Sequence, residues 1–385
     1  MPSKPNVLMM IESSRESGRK LISGITDYAR HFGPWQFHWQ ALDVRSLTAP
    51  SKLRKLDGVL ARDLTDVRRF MKRGIPTVAF TYGKVTAPGA IVATTDDRAI
   101  GESIARHFLD RGFRSFAFCG QAKAEWAIQR GRYFTEKVRE AGFQVSSFQT
   151  QLDAIDNLAE EAQRGSLVDW LKNLPSPVAL MAANDDLGHR IVQLCISAGL
   201  RVPDDRAVVG VDNDPVVCGI CNPPLSSIEV DQHGAGYRAA SQLDRLMRGE
   251  TPECTLIAAE AGDVVVRESS DIIAIDDEAV SRAMRFIQRN AHRPITVDEI
   301  AKASGIHRRG LQRRFQHNLS QPIQQRCRAV RAGHLATLIR ESRLSLEQIA
   351  MQCGFAEPSH LTRFFASVRG ETPSAYRQRI HRDPQ

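Results

Sequence analysis

No run of apolar residues in this 385-residue chain is long enough to cross a bilayer, and no basic, apolar, small-residue leader precedes its first strand-like segment. The expectation is a soluble protein kept in the cytoplasm, with no membrane partner. Cysteine is sparse and odd in number, seven in all at 119, 195, 218, 221, 254, 327 and 353. Without an export signal, that usage points to reduced thiols rather than a disulfide framework. Cys218 and Cys221 form a lone CxxC with no second pair or histidine partner nearby, so no metal site is expected. Also missing are a GxxxxGK phosphate loop followed by Ser or Thr, a GxSxG elbow, an HExxH helix and a GxGxxG turn after a strand. The histidines are scattered, and none stands near a strand end at a recognisable spacing from a Ser, Cys or carboxylate. An enzyme therefore has no visible machinery here, and no cofactor is expected.

What the chain does contain is a duplicated unit near its C-terminus. Ile295 to Phe315 runs ITVDEIAKASGIHRRGLQRRF, and Leu344 to Phe365 runs LSLEQIAMQCGFAEPSHLTRFF. Ile300 aligns with Ile349, Ala301 with Ala350 and Gly305 with Gly354; after one extra residue, Leu311, Arg313 and Phe315 align with Leu361, Arg363 and Phe365. Short repeats of this kind mark duplicated supersecondary units. Each copy reads as a helix-turn-helix, over about 296–316 and 345–368: a Thr296 or Ser345 start signal, an amphipathic helix, a Gly at the turn, and a second helix.

In the first copy Ile306, Leu311 and Phe315 can face a core while Arg309, Gln312, Arg313 and Gln316 share another face. Arg pairs with guanine and Gln with adenine in the major groove, so that face suits base reading. In the second copy Pro358 suits the first helical turn, Leu361, Phe365 and Val368 can be buried, and Ser359, Thr362 and Arg363 are left for the groove. Arg308, Arg314 and Arg369 are better placed to hold phosphates. Two ordinary helical hairpins with solvated charges are the competing reading, which the matched Arg and Phe positions weigh against.

Charge is distributed to match. From Asp276 to Gln385 there are 19 Lys+Arg and 10 Asp+Glu, net +9; the preceding residues hold 33 and 34, net −1. A phosphate backbone favours such concentrated positive charge because neutralising it releases counterions.

Residues 5 to about 270 alternate strand and helix signals. Apolar runs occur at Val7–Ile11, Gly58–Ala61, Pro76–Phe80, Ala90–Ala93, Ser115–Cys119, Ala179–Ala182 and Val208–Val211, with helical stretches such as Lys20–His31, Ile100–Arg111, Gly131–Ala141, Leu167–Asn173 and Gly188–Ala198 between them. Alternation of this kind, at this length, predicts two lobes of parallel sheet covered by helices. Ligands of such sheets sit beyond the carboxyl ends of the strands. The residues there are Glu12, Ser13 and Ser14, then Gln121, then Asn184 and Asp185, then Asp212 and Asn213. They are hydrogen-bonding groups of the kind a polyhydroxylated small molecule needs.

These segments resemble two known families. Val7 to Glu268 resembles the effector domain of lac-repressor-type regulators and periplasmic sugar-binding proteins, through HFLDRGFRSFAFCG (107–120), Arg130 in RGRYF, AANDDLGHRIVQLCISAGLRVPDD (182–205) and VVGVDNDP leading into PPLSSIEVD (208–231). Residues 276–381 resemble the arabinose-regulator (AraC-type) DNA-binding domain, through both repeat units, RAVRAGHLA (328–336) and PSAYR (373–377). The implied fold is an α/β two-lobed periplasmic-binding-protein-like effector domain over 1–270, a linker at 271–277, and an all-α double helix-turn-helix domain over 278–385. The implied function is a sugar-responsive regulator of a carbohydrate operon that binds double-stranded operator DNA. The implied effector is a small sugar, D-xylose or a related aldose; a homodimer and contact with RNA polymerase are also implied. A cytoplasmic sugar-binding protein or sugar-metabolising enzyme without specific DNA binding is the alternative. Arg130 and Asp212 would meet the sugar hydroxyls, with Asn184 and Asp185 close by, while Trp126 could stack on a sugar ring. Asp96 and Asp231 read as helix N-caps. Gln325 reads as the replacement for the aromatic that Tyr376 supplies in the second DNA-binding half.

Overall fold

The computed structural model describes residues 4–39, 56–62, 64–81, 91–150, 159–275, 277–319, 321–342 and 344–380. Ala90, expected to begin a strand, and Asp276, in the expected linker, lie outside them. The chain forms two compact units: Met1–Ala105 with Phe116–Ser270, and Arg106–Ser115 with Asp271–Arg382.

The first unit holds two six-stranded sheets. In chain order its elements are β1 (Asn6–Met10), α1 (Glu16–Phe32), β2 (Gln36–Trp39), β3 (Gly58–Ala61), α2 (Leu64–Met71), β4 (Thr77–Phe80), β5 (Ile91–Thr95) and α3 (Asp97–Leu109), whose last turn falls in the second unit. They continue through β6 (Phe116–Gln121), α4 (Glu125–Glu140), β7 (Val145–Thr150), α5 (Ala159–Asn173), β8 (Val178–Ala182), α6 (Asp185–Ser197), β9 (Arg206–Asp212), α7 (Pro215–Ile220), β10 (Ser226–Val230), α8 (Gln232–Met247), β11 (Leu256–Ala259) and β12 (Ala261–Val265). One sheet runs β11-β5-β4-β3-β1-β2 with every pairing parallel. The other runs β12-β10-β9-β8-β6-β7 and is parallel except for its edge strand β12.

The central strands β3 and β8 are apolar throughout and β4 nearly so, as strands covered on both faces are: all three are buried at every position. The parallel crossovers place all strand ends of one lobe on one side, which is what gathers a ligand site. α1 and α8 pack without room for side chains at their closest point. A Cβ on Gly24 would run into the His233 carbonyl, and one on Gly236 into that of Leu21. His233 Nε2 and Asp27 lie 2.8 Å apart, and the Tyr28 hydroxyl donates to Asp244 at 3.0 Å.

The second unit is helical: α9 (Glu278–Arg289), α10 (Val297–Ser304), α11 (Arg308–Leu319), α12 (Ile323–Glu341), α13 (Leu346–Gln352), α14 (Pro358–Arg369) and α15 (Pro373–Ile380). Thr296 with Glu299 and Ser345 with Gln348 form reciprocal capping boxes at α10 and α13, so both repeats start with two backbone donors satisfied. Gly305, at φ +72°, ends α10 in the left-handed conformation that glycine adopts without strain. Two cores result. Val280, Met284, Ile287, Ile300, Leu311, Phe315 and Ile323 fill the first; Leu335, Ile339, Ile349, Leu361, Phe365 and Tyr376 fill the second. α12 feeds both.

The structure corrects the register at the end of the first repeat. Gln325 is exposed, whereas Arg326 is 4% exposed and follows Phe315 at the spacing at which Tyr376 follows Phe365. Arg326 therefore occupies the aromatic's place. The repeats diverge here: Phe365 and Tyr376 stack edge to face at 5.4 Å in the second, and a guanidinium fills the equivalent position in the first.

Candidate sugar site and nucleic-acid interface

The candidate effector site is organised around Arg130, on α4, which is 2% exposed. Its Nε donates to Asp97 at 3.1 Å, its Nη1 to the Ala183 carbonyl at 2.7 Å, and its Nη2 lies 3.9 Å from Asp212. The guanidinium rests 4.8 Å from the centre of the Trp126 ring. An arginine this buried needs its charge and its donors compensated, and Asp97, Asp212 and the Ala183 carbonyl do so. Burial pushes both carboxyls above their usual range, while the Arg130 charge pulls them back.

Asp212 ends β9 in an unusual backbone. It has φ +104° and Asn213 has φ +50°, conformations that cost on the order of 1–3 kcal/mol per residue and cluster at ligand sites. Three neighbours hold them. Asp185 accepts from the Asp214 amide at 2.8 Å and from the Ser227 hydroxyl, the Asn213 amide donates to Ser227 at 3.0 Å, and Arg267 donates to the Asn213 side chain at 2.8 Å. Asp185 also accepts from Cys218 at 3.6 Å, and burial drives its carboxyl well above the ordinary range. Both Asp185 oxygens are thus spent on the loop carrying Asp212. Asn184 caps α6, accepting from the Leu187 amide at 3.0 Å.

Across the cleft, Glu12 follows β1 and accepts from Arg62 at 3.1 Å, and the Ser13 carbonyl accepts from Arg19 at 3.0 Å. Gln121 ends β6, and its side-chain oxygen is buried with no hydrogen-bond partner among the described residues. A buried acceptor left unsatisfied costs about 1–3 kcal/mol, and a hydroxyl donor would remove that cost. The lobes are tied by Arg15 with Asp186 at 2.9 Å, the Glu16 amide with Asp214 at 3.0 Å, and Lys20 with Glu229 at 3.4 Å. Asp96 and Asp231 accept from the Ala99 and Gly234 amides, as N-caps.

Sequence reasoning missed Asp97, Arg15, Arg62 and Asp214. Asp97 carried a signal, since it stands just beyond β5 and residues past strand ends are the ones to inspect. The ties made by Arg15 and Asp214 join segments far apart in the chain and leave no pattern in it.

In the second unit the sequence-derived groove residues lie on two helices. On α11, Arg308, Arg309, Arg313 and Arg314 are exposed and Gln312 half-buried; on α14, Ser359 and Arg363 are exposed and Thr362 half-buried. Arg308 pairs with Asp298 at 3.2 Å and Arg314 with Asp277 at 3.2 Å. Thr362 donates to the Pro358 carbonyl, Ser359 to Glu357, and the Arg369 guanidinium lies over the Phe365 and Tyr376 rings.

Residues 105–270 match the periplasmic binding protein-like domain family, and residues 300–379 match a helix-turn-helix domain family. Over 96% of its length the chain is 29% identical to 96% of the xylose operon regulatory protein of Escherichia coli strain K12. It is 27% identical to that of Haemophilus influenzae, covering 96% of this chain and 97% of that protein. The solved structure of a xylose-binding transcription activator superposes with a TM-score of 0.63 at 25% identity, over 98% of both chains. The chain is thus similar to xylose operon regulators along nearly its whole length. Its two domains and these relatives make it a sugar-responsive, DNA-binding transcription regulator with operator DNA and a sugar effector as partners. A LacI-type regulator from Alkaliphilus metalliredigens complexed with D-xylulofuranose has the fold of the first unit, with a TM-score of 0.57 at 19% identity over 70% of the regulator's chain and 99% of its own. No helix among the regulator's described residues is long and apolar enough to cross a membrane.

Proposed function

We propose that the effector is D-xylose or a closely related aldose, bound in the cleft by Arg130, Asp212, Gln121, Asn184, Glu12 and Ser13, with Trp126 against the ring. Asp185 serves that site by fixing the Asp212 loop. One observation carries the reading: a buried guanidinium is flanked by two carboxylates, one of them on a strained strand end. Such a fixed fork of donors and acceptors suits paired hydroxyls. The sugar closes the lobes, and closure changes how two subunits of a homodimer present their DNA-binding units to operator and RNA polymerase. Arg309, Gln312, Arg313, Ser359, Thr362 and Arg363 read bases, and Arg308, Arg314 and Arg369 position phosphates. The protein acts in the cytoplasm and catalyses no reaction; the boundaries 1–270, 271–277 and 278–385 separate sensing from reading. A thermal-shift series against pentoses and hexoses tests the effector, because a ligand that binds only the folded form raises stability by mass action. Failure of every aldose to move the transition would overturn the assignment.

A further inference from the structure

The compact unit that contains the DNA-binding helices also contains Arg106–Ser115, the last turn of α3 and the turn that follows it. Within that unit Arg326 pairs with Asp110 at 2.8 Å. The Ala274 amide donates to the Arg111 carbonyl at 2.9 Å, and a Cβ on Gly112 would run into Ile275. Arg111 Nη1 lies 3.1 Å from His107 Nδ1. Arg111 is 9% exposed and Arg326 4%, and the Nε of each is buried without a hydrogen-bond partner among the described residues. Arg326 thus relies for its ion pair on Asp110, which is itself nearly half exposed, while Arg111 beside it feels the charges of Asp271 and Asp110 without a direct ion pair to Asp110 among the described residues. Burial, with the Arg326 charge beside it, holds Arg111 down to about 10. Incompletely compensated buried charge is costly, and a contact built on it shifts easily when its geometry changes.

The other end of α3 begins with Asp97, whose carboxylate takes the Nε of Arg130. Arg326 lies in the first turns of α12, the helix that supplies both DNA-binding cores. The second repeat fills the equivalent position with Tyr376 inside its own core, so the first repeat has replaced an internal packing residue by a charge that pairs with α3. We propose that Asp110 and Arg326 are the positioning pair through which α3 transmits occupancy of the Arg130–Asp97 site to the DNA-binding helices. The proposal rests on the sugar-site reading given above. It assigns the pair no contact with sugar or DNA.

The test uses the full chain and measures operator affinity with and without saturating D-xylose, alongside sugar affinity by calorimetry. The wild-type ratio of the two operator affinities should fall in the range of roughly 5–150-fold. Asp110→Asn, which keeps the side chain's size, and Arg326→Tyr, which restores the aromatic of the second repeat, should each bring that ratio to about one. Each should also leave sugar affinity and unliganded operator affinity within about twofold of wild type. The double variant Asp110→Arg with Arg326→Asp should restore the ratio in part, which a merely structural role does not predict. Wild-type ratios in both single variants would overturn the proposal. So would a wild type that binds the sugar without any change in operator affinity, and that result would leave the sugar site standing. A wild type that binds no aldose would instead fail the sugar reading, and the proposal with it.

Discussion

Replacing Arg130 by Ala should cost far more stability than the loss of a surface arginine, and the reason lies in what remains behind. The guanidinium is 2% exposed and sits between Asp97 and Asp212, two carboxylates in a low-dielectric setting. Removing one partner of a buried ionic group typically costs about 3–5 kcal/mol because the other charge stays buried. For a unit of this size, 1 kcal/mol moves the midpoint by roughly 2–4 °C, so the transition should fall by roughly 6–20 °C. Arg130→Ala combined with Asp97→Ala should recover part of that loss, since less uncompensated charge is left. Asp212→Asn is the gentler probe of binding. It preserves shape and removes the charge, so a charge-assisted bond to a sugar hydroxyl, about 1.5–3 kcal/mol, is weakened and affinity should drop roughly 10- to 150-fold. Differential scanning calorimetry with and without D-xylose reads both effects: at a hundredfold excess over Kd the ligand contributes about 2.7 kcal/mol to the wild type. An Arg130→Ala variant that melts within a degree of wild type would refute the reasoning from burial. An Asp212→Asn variant with unchanged sugar affinity would remove Asp212 from the site.

Residues 276–385 expressed alone should bind duplex DNA; Arg313→Ala or Arg363→Ala should cost about 1–3 kcal/mol and relax preference at one operator position, whereas wild-type footprints from both would refute the recognition-helix assignment. Arg308→Ala should weaken all sequences alike and lower the salt slope by about one unit in a titration of binding against salt. Glu299, held down to about 2 by the Thr296 amide and by Arg293, contributes stability that is present above the usual glutamate value of 4.5 and is lost as pH falls from there towards 2. Melting curves of the 276–385 fragment should show that acid slope diminished by Glu299→Gln, and an unaltered slope would show that the capping carboxylate does not matter. Light scattering should return a dimer mass, and a monomer both with and without DNA would refute the avidity argument.

The repeat units were the most legible part of the chain, because capping residues, turn glycines and a core phenylalanine are local signals that recur in both copies. The central strands were legible for a related reason: burial on both faces makes them largely apolar. β2 and β7 were not. Each forms an edge of its sheet, and their patterns are largely exposed or half-buried, so neither presents an apolar run. The candidate site's strand-end residues could be picked out from the sequence, but the ties of Arg15 to Asp186 and of the Glu16 amide to Asp214 arise only through the fold. Arg326 was missed by one residue beside Gln325, although its spacing from Phe315, the same as that of Tyr376 from Phe365, was already in the sequence.

α12 carries a consequence for the operator itself. It runs from Ile323 to Glu341, 19 residues or about 28 Å of helix, with one core at its start and the other near its end. A single continuous helix therefore joins the core that seats α11 to the core that seats α14. The two helices present different side chains, Arg309, Gln312 and Arg313 against Ser359, Thr362 and Arg363, so on the recognition-helix assignment proposed above a bound site has a head and a tail. Reversing such a site on the duplex turns the DNA-binding unit around with it. Polarity of the site, rather than its sequence alone, then sets which way that unit faces along the promoter.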